Sequence, residues 1–181
     1  MSTTKSICVF CGSRHGNSPA YAKAAQDLGA AIAVNKWRLV YGAGDVGLMG
    51  DVADATQAAG GGTFGVIPQH LLDWEVGKRD LDQFIVTDDM HSRKKLMFIN
   101  SDAAVLLPGG AGSLDEFFEV LTWAQLNLHE KPIIVANIEG YWDPLMALVE
   151  HTVNNGFADA SLLNLFTVAP DIEATIEALR G

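Results

Sequence analysis

Apolar residues recur along this chain in two alternating rhythms. Short, nearly continuous apolar runs such as Ile7-Cys8-Val9-Phe10, Leu39-Val40-Tyr41 and Ala103-Ala104-Val105-Leu106-Leu107 are separated by longer stretches where apolar positions return every three or four residues. The runs predict strands over 6–10, 38–41, 63–67, 84–86, 103–107, 133–136 and 165–168. The longer stretches predict helices over 19–34, 48–59, 90–100, 113–126, 142–155 and 171–179. Ser18 followed by Pro19 makes a good helix start, as N-cap and first helical residue, and Gly60-Gly61-Gly62 stops the second helix. Strands this uniformly apolar need helices on both faces. The expected fold is α/β: a doubly wound, Rossmann-like, mostly parallel sheet of about seven strands, forming one domain over 1–181 and binding its ligand at the carboxyl ends of the strands. No internal repeat, low-complexity segment or linker interrupts the pattern.

A chain of 181 residues is long enough to bury roughly 70% of its extended surface without disulfide or metal. Its balance of 12 basic and 22 acidic residues, net −10, argues against a broad nucleic-acid or anionic-membrane surface, so a phosphate ligand would need local cations. Met1-Ser2-Thr3-Thr4-Lys5 leads into the first strand without a signal-peptide core, and no apolar run approaches the ~18 residues of a membrane span. A cytoplasmic protein is expected. Cys8 and Cys11 form a C-x-x-C, but odd spacing across a strand sends their side chains to opposite faces, against a redox or metal pair. The histidines at 15, 70, 91, 129 and 151 show no metal-ligand spacing.

The most informative segment runs from Val105 to Glu116. An apolar strand passes through Pro108-Gly109-Gly110-Ala111-Gly112 into a helix carrying Asp115 and Glu116. Glycines strip away β-carbons so that backbone N–H groups can close on a ligand, and the following helix adds the positive end of its dipole. That combination is a phosphate seat. Carboxylates directly behind it repel the anion, unless a sugar carbon developing positive charge beside the phosphate requires them. Acids in a first helical turn also complement the helix dipole, and spacing leaves both roles open. Leu114, Phe117, Phe118, Leu121 and Ala124 share the expected core face, while Thr122 can position a ligand or bond within its own helix.

Two further loops follow strand ends. Cys11-Gly12-Ser13-Arg14-His15-Gly16-Asn17 is small and polar with one arginine, suited to an ordinary turn or to a ligand. Gly42-Ala43-Gly44-Asp45-Val46-Gly47 matches G-x-G-x-x-G, yet the next strand closes on Ile67-Pro68-Gln69 without the acid a dinucleotide ribose needs. Close approach of backbone to a nucleotide remains. Met90, Arg93, Lys94 and Met97 follow i, i+3, i+4, i+7 spacing, placing two methionines and two cations on one helix face. With Leu96 and Ile99 anchoring another face, this stripe is free to line a site, methionine meeting a flat base and arginine a phosphate or ribose. A core helix with snorkelling cations is the alternative.

Taken together, Cys11-Gly12-Ser13, Tyr41-Gly42-Ala43-Gly44 with Gly47-Leu48-Met49-Gly50, Met90-His91-Ser92-Arg93-Lys94 and Pro108 through Glu116 resemble the LONELY GUY family of cytokinin riboside 5'-monophosphate phosphoribohydrolases, often mislabelled as lysine decarboxylases. Thr122-Trp123-Ala124-Gln125-Leu126 and Gly140-Tyr141-Trp142-Asp143-Pro144-Leu145 extend the resemblance over nearly the whole chain. It implies hydrolysis of the N-glycosidic bond of an N6-substituted adenosine 5'-monophosphate to free base and ribose 5-phosphate. It implies Arg93 and Glu116 as the catalytic pair, and Glu75, Arg93, Lys94, Gly110, Ala111, Gly112, Ser113, Leu114, Asp115, Glu116 and Thr122 as nucleotide-binding residues. Ser13, Gly44, Met90 and Met97 join the binding set from the loop and stripe arguments. Departures from the family pattern are Ser113 for threonine, Asp115 for glutamate and Ala43 for glycine. A homodimer is implied, with the segment from Trp123 to Leu128 and the cationic stripe as covered surface.

The implied chemistry uses no metal and no organic cofactor. Glu116 would stabilise an oxocarbenium ion at C1' or activate water, and Arg93 would hold ribose or phosphate. Both side chains are expected to be partly exposed. A lysine decarboxylase would need pyridoxal phosphate and a reactive lysine, for which Lys94 has no supporting pattern. A general purine or pyrimidine nucleotide nucleosidase, or a non-catalytic nucleotide- or cofactor-binding protein of the same fold, remains as an alternative.

Overall fold

The computed structural model describes residues 4–72 and 77–181. Seven strands form one sheet in the order β4-β3-β2-β1-β5-β6-β7, with every neighbouring pair parallel. They are β1 (Ser6–Phe10), β2 (Arg38–Tyr41), β3 (Gly62–Pro68), β4 (Gln83–Thr87), β5 (Ala103–Leu106), β6 (Ile133–Ala136) and β7 (Thr167–Ala169). The helices are α1 (Pro19–Val34), α2 (Gly47–Ala58), a short α3 (Gln69–Leu72), α4 (Met90–Ile99), α5 (Ala111–Gln125), α6 (Asp143–Asn154) and α7 (Ile172–Arg180). β1, buried at every position, lies at the centre, and the chain winds outward from it first to β4 and then, from β5, to β7.

Each face of the sheet carries its own core. Ile7, Val9, Leu39 and Tyr41 meet Leu28 and Ile32 of α1 and Val52 of α2 on one side. Cys8, Phe10, Val40 and Leu106 meet Met97 of α4, Phe117 of α5 and Val149 of α6 on the other. Side chains alternate between faces along a strand, so Cys8 and Cys11 fall into different cores as the spacing predicts, and both are free thiols. Ser18 caps α1 by accepting from Ala20 N at 3.2 Å, with Pro19 at its first turn as expected.

Several elements differ from the sequence expectation. The last strand starts at Thr167 rather than at 165, because a 3-10 turn over Ala160–Asn164 sends Leu162 into the core and leaves Leu165 helical. The four-residue α3 and the 3-10 turn Ile138–Gly140 are too short to show a period. α5 begins at Ala111, not 113, so Gly110 is its N-cap and Asp115 and Glu116 stand in the second turn.

β1 and β5 pair in register, Phe10 opposite Leu106, so their following loops emerge side by side. Leu107 N donates to Phe10 O at 2.9 Å and Gly12 N to Pro108 O at 3.0 Å. The winding direction reverses between these two strands, and such a reversal opens a crevice beyond the strand ends.

Candidate active site

α4 places Arg93. Asp89 caps the helix, its carboxylate accepting from Ser92 N at 2.7 Å, which sets Arg93 in the first turn with its side chain directed over the sheet's carboxyl edge. There Nε donates to Val66 O of β3 at 3.1 Å and Nη2 to Gly42 O, just past β2, at 2.8 Å. Nη1 lies 3.7 Å from Met90 Sδ. Two carbonyls thus hold a buried guanidinium as a rigid fork, and the N–H donors not taken by them or by Met90 Sδ can meet a ligand. Among the described residues no carboxylate forms an ion pair with it.

Glu116 comes to the same cavity from α5. The cavity holds about 280 Å³ and includes Ser13, Gly42, Met90, Arg93, Gly110 and Glu116 in its wall. Glu116 is only 9% exposed, and no described residue hydrogen-bonds its carboxyl. Burial pushes its pKa up to about 7, aided by the charges of Asp115 and Glu119 and opposed by those of Arg93 and Lys94. A carboxyl poised near neutrality can both take and return a proton. Cys11 also lines the cavity, but burial and then the Glu116 charge raise its thiol far above the ordinary range. It stays protonated and is no nucleophile.

The glycine loop completes the wall. Gly110 begins α5 without any side-chain cap, leaving first-turn N–H groups unpartnered by side chains, whereas α1, α4 and α7 are each capped by Ser18, Asp89 and Asp171. β-Carbons built at Gly110 and Gly112 would meet nothing within 4 Å, so this turn faces open space. Ala111, Gly112 and Ser113 join Gly110 in the cavity lining. A second cleft of about 360 Å³ adjoins it across Gly12, Ser13 and Gly110, walled by Arg14, His15, Tyr21 and Tyr141. Tyr141 donates its hydroxyl to Gly109 O at 2.6 Å and so holds the loop from that side.

The structure brings Ser13, Met90, Arg93, Gly110, Ala111, Gly112, Ser113 and Glu116 into one cavity. Six others lie apart from it. Met97 is in the sheet-facing core, because the face shared by Arg93, Lys94 and Met97 is the buried face of α4, while Ile99, expected to anchor, is 57% exposed. Lys94 is engaged by Asp115 and Glu119, which keeps Asp115 at the α4–α5 contact. Leu114 packs on the core and Thr122 is exposed. Gly44 forms a bridge with Gly77 and leaves room for the Met49 methyl group. Glu75 lies outside the described residues.

The expectation of partly exposed catalytic side chains is corrected: both are buried, since the strand-end carbonyls and the α5 packing draw them inward. All three glycines of the G-x-G-x-x-G loop make room for protein rather than for a dinucleotide: Gly42 for Arg93, Gly44 for Met49 and Gly47, at φ +62°, for the Ser13–Arg14 backbone. The sequence did not single out Val9, Cys11, Gly12, Gly42, Met49 and Leu71 as lining residues. Gly42 carried a signal, standing first in that loop; Leu71, on the four-residue α3, carried none.

The family model described as "Possible lysine decarboxylase" matches residues 49–179. A cytokinin riboside 5'-monophosphate phosphoribohydrolase of Rhodococcoides fascians is 44% identical over 180 residues, covering 99% of this chain and 91% of that one. One from Arabidopsis thaliana is 40% identical over 177 residues, covering 98% and 78%. The chain belongs to the LONELY GUY family. Among solved structures, the molybdenum cofactor binding protein of Rippkaea orientalis matches with a TM-score of 0.76 at 26% identity over 99% and 98% of the two chains. The molybdenum cofactor carrier protein of Chlamydomonas reinhardtii, at 0.74 and 24%, shares the fold. The family model's description does not fit the chemistry of this LONELY GUY site. Burial lowers the Lys94 pKa, but its bonds to Asp115 and Glu119 outweigh that and hold it above the ordinary value, a charged ammonium rather than an amine nucleophile.

Proposed function

We propose that this protein hydrolyses the N-glycosidic bond of N6-substituted adenosine 5'-monophosphates, cytokinin riboside 5'-monophosphates among them, and of AMP, releasing free base and ribose 5-phosphate. The observation that carries the reading is the Glu116 carboxyl facing the same cavity as the uncapped, glycine-lined start of α5. With the 5'-phosphate on the Gly110–Ser113 backbone and the ribose against the Arg93 fork, C1' is held beside Glu116. As the C1'–N bond breaks, positive charge spreads over C1' and the ring oxygen, and the ionised carboxylate stabilises it. Water then forms the new C1'–O bond. Its proton passes to Glu116 and on to the departing base, a relay suited to a carboxyl of pKa about 7.

Met90 and Leu71 offer the apolar surface for the base. The scheme uses no metal or organic cofactor. The working form is a cytoplasmic homodimer whose partner is a small nucleotide rather than nucleic acid or membrane, a reading supported by the net charge of −10 and by exposed Ile99, Phe118, Leu126 and Leu128. No helix among the described residues is long and apolar enough to cross a membrane.

The test is a panel of purine and pyrimidine nucleoside 5'-monophosphates, including AMP and N6-substituted forms, assayed for base and ribose 5-phosphate in equal amounts. Preference for adenine nucleotides supports the proposal, and indifference to the base points to a general nucleotide nucleosidase. Binding without release of base from any of them leaves a nucleotide- or cofactor-binding protein.

A further inference from the structure

The Gly109–Gly110 peptide has a glycine on each side, so no β-carbon opposes its rotation. Its carbonyl oxygen and its N–H point in opposite directions, as in any planar trans peptide. One orientation offers the Gly110 N–H to an anion at the start of α5, and the flipped one turns the Gly109 oxygen against that anion. Of the two adjoining cavities, Gly109 borders only the cleft that holds Tyr141, whereas Gly110 borders the Glu116 cavity as well. The Tyr141 hydroxyl donates to Gly109 O at 2.6 Å, and no described residue accepts from the Gly110 N–H. Holding the oxygen toward Tyr141 turns the N–H away from it, toward the glycine-lined seat.

Tyr141 arrives there from the turn after β6. That strand lies beside β5, with Val135 opposite Leu106, so its turn emerges next to the glycine loop. Asn137 braces the turn, its Oδ1 accepting from Trp142 N at 2.7 Å and its Nδ2 donating to Asp143 Oδ1 at 2.7 Å. Glu139 at φ +52° and Gly140 at φ +70° take the left-handed region, which is costly for a residue with a β-carbon. The Glu139 carboxylate accepts from Ser18 Oγ at 2.7 Å, tying the turn to the N-cap of α1. Edge-to-face contacts with Tyr21 at 5.3 Å and Trp142 at 4.7 Å set the Tyr141 ring. A strained turn held by side-chain bonds points to a purpose, and the group it delivers is the Tyr141 hydroxyl. We propose that Tyr141 is a positioning residue that locks the Gly109–Gly110 peptide with its N–H toward the 5'-phosphate, so that the β6–α6 turn helps to set the preference for a monophosphate over its riboside. The inference rests on the hydrolase reading of the cavity and concerns the phosphate rather than the reacting carbon.

The experiment compares the full wild-type chain with Tyr141→Phe, which removes the hydroxyl and keeps the ring. Inorganic phosphate is titrated while the Gly110 amide is followed by proton–nitrogen NMR, and kcat/KM is measured for AMP and for adenosine. In wild type, phosphate should move the Gly110 amide proton downfield. In Tyr141→Phe that movement should shrink and the Kd for phosphate should rise about tenfold. The variant's kcat/KM should fall about tenfold more for AMP than for adenosine, with most of the difference in KM. An unchanged phosphate Kd in the variant would overturn the proposal. So would equal losses on AMP and adenosine, the result expected of a tyrosine that only stabilises the fold. A wild-type Gly110 amide that ignores saturating phosphate would overturn it without any variant. Phosphate binding needs no turnover, so a chain that binds phosphate as expected yet releases no base overturns the hydrolase reading separately.

Discussion

Arg93 occupies the space that a side chain at residue 42 would fill. A β-carbon at Gly42 would overlap the guanidinium, and the same residue's carbonyl accepts from Arg93 Nη2 at 2.8 Å. The glycine therefore admits the arginine and anchors it. Gly42→Ala is expected to expel the guanidinium, cost about 1–3 kcal/mol of stability and cut kcat/KM by about 10²-fold or more. Chemical denaturation and steady-state kinetics read the two effects. Arg93→Ala should also destabilise, because the Val66 and Gly42 carbonyls lose their donor. Near wild-type activity in Gly42→Ala would show that the fork is not needed where it stands.

Glu116 links activity to stability. Its pKa rises from 4.5 to about 7 on folding, so the unfolded chain ionises first and folding becomes progressively less favourable as pH increases through that window. Removing the charge should reverse this. Glu116→Gln is expected to be more stable than wild type above pH 7 by about 1–3 kcal/mol, with the difference gone below about pH 4.5. The same variant should lose about 10²–10⁴-fold in kcat while keeping nucleotide affinity. Parallel denaturation curves at pH 4 and pH 8 and a single-turnover assay check both; retained turnover in a folded variant would sink the assignment.

Arg14 is expected to take part in phosphate recognition. It borders the cleft shared with Gly109 and Gly110, and among the described residues no hydrogen bond or ion pair engages its guanidinium. In a chain of net charge −10, an uncommitted cation beside an uncapped helix start is suited to an anion. The 5'-monophosphate should be cleaved far better than its riboside. Arg14→Gln should raise KM for the monophosphate about tenfold and leave the riboside unchanged. Equal effects on both substrates would place Arg14 outside phosphate recognition.

Assembly is testable on α5. Phe118, Thr122 and Leu126 form an exposed stripe on one side of the helix, and Leu128 continues it at 68% exposure. The cationic face of α4, expected from sequence to be covered by a partner, is instead buried within the chain. A homodimer through the α5 stripe should give twice 19.4 kDa in light scattering, and Leu126→Glu should lower it to the monomer. Wild type at monomer mass would contradict the proposed dimer.

Sequence by itself determined the alternation of strands and helices, the burial of the central strands and the glycine loop leading into α5, because these depend on local period and on glycine's lack of a β-carbon. It also pointed to Arg93 and Glu116 as a pair through four motifs in register. Tertiary structure alone decided how each polar group is spent. Whether Glu116 merely complements a dipole depended on where α5 starts, and the start at Ala111 removes it from the first turn. Lys94 and Arg93 are adjacent and chemically alike in sequence, yet one is neutralised by carboxylates of α5 and the other is held by the carbonyls of β2 and β3 strand ends. Those partners are distant along the chain, and no local pattern encodes them. Sheet order brings them together, and with them the burial that raises the Glu116 pKa to about 7.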